Sequence, residues 1–243
     1  MTKTGGPLLV WPHFFWLPLF AYLVIGLVGH WVPQFQYFSL EVLNSGVKRD
    51  PSEDNFIEHL EAFYWFVGLL FYGALLKNLY AQKQSMRWVA LFMLISFLAL
   101  GEELSWGQHF FQYQTPKSLV EFNTQQEFNI HNLNLGKMLG IPPESIFYIG
   151  SLTELLNPLF YLLCIAVWMM FPILLRKLNL RKGYFREYPE QSKHFCIIFA
   201  FVVAVYLLID NLAFDCGEWF ELAMATVGAI TGATAWQEQS FSS

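Results

Sequence analysis

Charged side chains are what this chain has least of: 14 Lys and Arg with 19 Asp and Glu in 243 residues make 14%, against about 25% in soluble domains. With 55% apolar and 19% aromatic residues, too little polar surface remains to coat a water-soluble fold. A soluble enzyme and a disordered tail are excluded on that ground. The formal charge of -5 also denies the chain a basic surface for nucleic acid. Cysteine is nearly absent. Cys164 and Cys196 lie in apolar runs and Cys216 stands alone near the last helix, so no disulfide framework is readable. The N-terminal apolar run from Leu8 to Val32 is too long for a signal-peptide core and lacks an A-x-A-like cleavage site, which predicts a retained helix.

Long hydrophobic runs are abundant. A transmembrane helix takes about 20 mainly apolar residues, and that rule predicts six spans near 9–32, 57–77, 87–109, 149–175, 194–213 and 216–236. The expectation is an all-α, polytopic membrane protein, one helical domain over 1–243, with a long extracytoplasmic loop between the third and fourth spans. Asn157-Pro158 should kink the fourth span. Lys77, Lys83 and Arg87 follow the second span, and Arg176, Lys177, Arg181, Lys182, Arg186 and Lys193 follow the fourth. The positive-inside rule turns both segments, and with Lys3 both termini, to the cytoplasm.

Measured from those basic ends at 1.5 Å per residue, Glu102 and Glu103 fall roughly 6–8 Å inside the opposite boundary. The same ruler brings Glu58 and Glu61, Glu154, Asp210, and Glu218 with Glu221 to about that level on four other spans. Five of the six spans thus carry acids to one depth. Glu41, Asp50, Glu53, Asp54, Glu121, Glu127 and Glu144 read as ordinary interfacial acids. Glu102 and Glu103 do not, because a carboxylate in hydrocarbon costs several kcal/mol without a cavity or partner. On the sixth span Glu218 and Glu221 share a stripe with Ala225, Gly228, Gly232 and Ala235, a small-residue face suited to close helix packing.

The densest polar motif is GEELSWGQHFFQ, Gly101 to Gln112, in which Glu102, Trp106 and His109 fall on one face of a continuous helix. The polar stretch after it, 113–147, includes NIHNLN with His131 and reads as a folded lid rather than a disordered loop. GEELSWGQ followed by FNIHNL, with EHLEAF before and EWFEL near the end, resembles a group of uncharacterised bacterial multi-pass inner-membrane proteins. The resemblance implies the architecture and an inner-membrane location and carries no activity. Alkaline ceramidase-like intramembrane hydrolases are a more distant comparison; they use an HxxxH pair, which this sequence does not contain.

Three chemistries fit the acids. In the first, a membrane-embedded metal-dependent hydrolase or transferase acts on a lipid or lipid-linked substrate at the extracytoplasmic side. Its metal ligands would be His109, His131, Glu218 and Glu221, and Glu102 or Glu103 its general base. Oxygen-dominated ligation suits Mg²⁺, Ca²⁺ or Mn²⁺, and two imidazoles would admit Zn²⁺ or Fe²⁺. In the second, a proton- or cation-coupled transporter uses the carboxylates as its ion site. In the third, an accessory subunit pairs them with cationic groups of another membrane protein.

Overall fold

The computed structural model describes residues 11–32, 34, 56–123, 127–130, 132–145, 147–148, 150, 152–180, 185, 188–189, 192–211 and 217–240. These residues are helical apart from turns and one isolated antiparallel bridge between Asn123 and Leu133. A 3-10 turn at Trp11–Phe15 leads into α1, Trp16–Trp31. The long helices α2, Phe56–Ala81, and α3, Arg87–Glu103, follow. Three one-turn helices come next: α4, Gln108–Phe111, α5, Lys117–Val120, and α6, Leu135–Met138. The chain then forms α7, Thr153–Ile165, a π segment at Ala166–Met170, α8, Phe171–Lys177, α9, Lys193–Asn211, and α10, Gly217–Ser240.

Among the described residues, three segments are long and apolar enough to cross a membrane: Pro12–Trp31, Ile57–Ala81 and Pro158–Lys177. The other three segments expected to span differ in instructive ways. α3 has 17 residues and ends six positions before the expected boundary at His109. In α9 the apolar part is His194–Ile209. α10 is long, but it sits in the middle of the bundle.

From Trp219 to Ala233 every residue of α10 except the partly exposed Glu221 is buried, so nearly the whole circumference of this helix meets protein. A helix surrounded by other helices needs no strongly apolar surface, which accounts for its Ala, Gly and Thr content. The expected single stripe of small residues is therefore one part of an all-round contact. Its closest partner is α2. Gly68 lies against the backbone of Ala229, where an added Cβ would stand 3.4 Å from the Ala229 nitrogen. The Tyr72 hydroxyl donates to the Gly228 carbonyl at 2.9 Å, and Trp219 Nε1 donates to the Leu19 carbonyl of α1 at 3.1 Å. Aromatic rings fill the rest: Trp65, Trp168 and Phe92 are buried, with centroids 6.3 Å apart for the two indoles and 6.1 Å for Phe92 and Trp168.

The fourth expected span is continuous α-helix through Pro158, and the departure from α geometry falls later, at the π segment. Pro158 is the sixth residue of this helix, so its ring costs one intrahelical hydrogen bond that the packed segment tolerates without a break. A π turn widens the helix and changes how its carbonyls are used. The Val167 carbonyl in that segment accepts from the hydroxyl of Tyr188, which comes from the stretch between α8 and α9. The Tyr188 ring packs edge-on to Trp88 and Phe92, and burial raises its phenol above the ordinary range.

Candidate functional site

α2 and α10 begin, and α3 ends, at the same end of the bundle, because α2 and α3 run antiparallel and α10 lies along α2. That arrangement brings one acid-bearing turn from each helix together. One carboxylate oxygen from each of Glu61, Glu218 and Glu221 lies within 4.8 Å of the others. Glu61 is fully buried and neither of its oxygens has a hydrogen-bond partner, whereas Glu218 and Glu221 are partly exposed. The charged groups acting on Glu61 are Glu103, Glu218 and Glu221, all acids.

Two like charges 4.8 Å apart repel by about 3.5 kcal/mol at an effective dielectric of about 20. Such a cluster persists only when protons or a cation compensate it. The spacing itself suits a cation. Oxygens on opposite sides of Mg²⁺ or Ca²⁺, each about 2.0–2.6 Å from the ion, stand about 4–5 Å apart. At the rim, Tyr161 donates to Glu221 Oε1 at 2.8 Å and fixes that carboxylate. Its ring is held edge-on to Phe220 at 4.8 Å, and Phe220 in turn stacks on Tyr206 at 4.0 Å.

Glu102, the neighbour of Glu103, faces elsewhere. Its Oε1 accepts from Trp106 Nε1 at 2.7 Å and its Oε2 from the Ile130 backbone N–H at 2.8 Å. The continuous helix expected through His109 is interrupted directly after it. Ser105, Trp106 and Gly107 all have positive φ, 44°, 54° and 86°, so the chain reverses at this point. The single face proposed for Glu102, Trp106 and His109 is lost with the helix, although the Glu102 to Trp106 contact survives because the indole folds back over Gly101. A Cβ at Gly101 would lie 2.8 Å from two Trp106 ring carbons. Gly101→Ala should therefore unseat Trp106 and cost about 1–3 kcal/mol. Thermal unfolding, with proteolytic nicking of 113–147, measures both effects.

The described residues after this turn are joined by side-chain hydrogen bonds. Ser105 Oγ donates to Glu127 Oε2 at 2.7 Å, and Asn129 Nδ2 donates to the same oxygen at 2.9 Å. Asn123 Nδ2 donates to Asn129 Oδ1 at 3.0 Å, and Gln108 Oε1 accepts from the Phe128 N–H at 2.6 Å. Glu127, expected to be an ordinary interfacial acid, is thus a structural acceptor of this network.

Of the sequence-predicted residues, the structure gathers Glu61, Glu103, Glu218 and Glu221 and turns Glu102 toward the loop. Glu58 is partly buried on α2, one turn before Glu61. His109, Glu154 and Asp210 have backbones in α4, α7 and α9, but their side chains lie outside the described residues, as does His131 altogether. Glu61 was legible with Glu58 as an i, i+3 carboxylate pair of the kind helix bundles use to hold ions, and of that pair it is Glu61 that meets Glu218 and Glu221. Tyr161 was visible only as a neighbour of Glu154 at helical spacing. A cleft of about 250 Å³ between α2 and α3, lined by His59, Phe63, Phe66, Leu100 and Phe110 among others, opens on the face of α2 turned away from Glu61. No family model, no curated protein and no solved structure matches this chain.

Proposed function

We propose that this protein is a membrane-embedded, metal-dependent hydrolase or transferase acting on a lipid or lipid-linked substrate at the extracytoplasmic side. The observation that carries the reading is the fully buried Glu61, whose two unpartnered oxygens meet Glu218 and Glu221 at ligand spacing. All the gathered donors are carboxylates, a set suited to Mg²⁺, Mn²⁺ or Ca²⁺. When bound, such an ion supplies Lewis-acid polarisation of an ester or phosphoryl oxygen and an acidified water. Glu61, Glu218 and Glu221 hold the ion. Tyr161 orients Glu221, and Glu103, beside Glu61 but outside the triad, takes the proton of the attacking water or alcohol. Glu102 anchors the loop above the site.

The six-span arrangement, with both termini in the cytoplasm of an inner membrane, belongs to the same proposal. It is supported by the three apolar segments and by the basic residues that flank them. The hydropathy of α10 is no argument against it, since that helix meets protein on nearly every side.

The test uses the protein in proteoliposomes of bacterial lipid with Mg²⁺ or Mn²⁺, followed by mass spectrometry of the lipids. Wild type should convert a lipid species. Glu103→Gln should bind the cation normally and lose about 10²–10⁴-fold in rate, as expected for removal of a general base. An unchanged lipid profile with wild type, or full activity in Glu103→Gln, overturns the assignment. Cation-dependent flux across the vesicle membrane would instead identify a transporter, and a stoichiometric co-purifying subunit an accessory protein.

A further inference from the structure

We infer that the segment after the α3 reversal, α4 with Phe110 and Phe111, is seated in the acyl-chain region of the surrounding bilayer and is not exposed to water. This inference rests on the proposed membrane-spanning placement of α3 and is independent of the enzymatic reading. Phe110 is 70% and Phe111 80% exposed, while Gln108 and Tyr113 beside them direct their polar atoms into the protein. Gln108 accepts from Thr115 and from the Phe128 N–H, and the Tyr113 hydroxyl donates to the carbonyls of Ser105 and Trp106. A segment that ties these polar groups to the protein and turns both phenyl rings outward suits an apolar solvent.

Helix length agrees. The 17 residues of α3 span about 26 Å at 1.5 Å per residue, short of a hydrocarbon core of about 30 Å, so the chain leaves α3 before it has left the lipid. Non-helical backbone at such a depth is tolerated where its hydrogen bonds are occupied, and here the Gly107 N–H donates to the Leu104 carbonyl while the Tyr113 hydroxyl donates to those of Ser105 and Trp106. The exposed surface is also continuous with that of the spanning helices. Phe110 lines the cleft of about 250 Å³ together with Phe63 and Phe66 of α2 and Leu100 of α3. The exposed Leu94, Phe97 and Leu98 extend the same apolar surface down α3. The occupant of the cleft is a lipid acyl chain, the material that already bathes those side chains.

The experiment places a nitroxide label at Phe111→Cys in phospholipid nanodiscs and compares collision rates with oxygen and with a water-soluble nickel chelate. Cys196 and Cys216 are replaced by Ala, and Cys164, only 1% exposed, is left in place. The label should favour oxygen over the chelate, as one at Leu98 does and one at the exposed Glu144 does not. Chelate access equal to that at Glu144 overturns the inference, and exclusion of both reagents overturns it in favour of a protein partner. Wild-type protein provides a second measurement. An acyl-chain diazirine phosphatidylcholine should label residues 108–112; labelling that reaches 94–98 but spares 108–112 contradicts the assignment.

Discussion

Glu61→Leu is expected to make the cation-free protein more stable and to abolish its response to divalent ions. Glu61 is fully buried, unpartnered and faced by three other acids, so in the absence of a cation its carboxyl opposes folding. Leucine has a similar volume and no charge to desolvate. Replacing buried ionic groups by well-packed apolar ones is commonly neutral or stabilising by about 1–4 kcal/mol. In chelator, the variant should therefore unfold at a higher temperature or denaturant concentration than wild type. The order should reverse when cation is added. A ligand present at 100 times its dissociation constant stabilises the native state by about 2.7 kcal/mol, a gain open to wild type and closed to the variant. A structural role for Glu61 predicts the opposite sign in chelator, a loss of stability on substitution, and no crossover.

The second large effect concerns the contact that brings the two acid-bearing helices together. Gly228→Leu should destabilise the protein by at least the 1–3 kcal/mol typical of overpacking and separate α10 from α2. Even a single Cβ at this position would lie 2.8 Å from Trp65 Cζ3, and Trp65 is fixed between Phe160 and Trp168. The Tyr72 bond to the Gly228 carbonyl is lost by the same displacement. Because Glu61 lies one turn before Trp65, divalent-cation affinity should fall together with stability. Denaturant unfolding in nanodiscs and a cation titration of the same sample measure the pair. Unchanged affinity in a destabilised variant would mean that the acid site does not depend on this packing.

The helical architecture was legible because the period and length of apolar runs record it directly. α2, α9 and α10 fall within a few residues of expectation, since Lys, Gly and acidic residues mark their ends. α3 was not legible beyond Glu103. Ser, Trp and Gln carry no helix-breaking signal as strong as proline, and the reversal at Ser105–Gly107 depends on Trp106 finding a seat over Gly101, a contact that spacing alone does not reveal. The level of the acids could be counted along each helix. Helical phase put Glu218 and Glu221 on a packing face, but it did not show which partner each acid meets: Glu103 faces Glu61 while Glu102 binds Ile130. The importance of Glu61 itself rests on burial, and burial is set by α10 passing through the centre of the bundle.

Divalent metal content, measured by elemental analysis after purification in Mg²⁺ and Mn²⁺ and removal of free ions, tests the central claim most directly. One tightly held ion per wild-type chain, absent from Glu61→Leu and from Glu221→Ala and retained in Glu102→Gln, is the result the carboxylate centre predicts. Wild-type protein that holds no ion under these conditions, or a Glu61→Leu protein that holds as much as wild type, would contradict it.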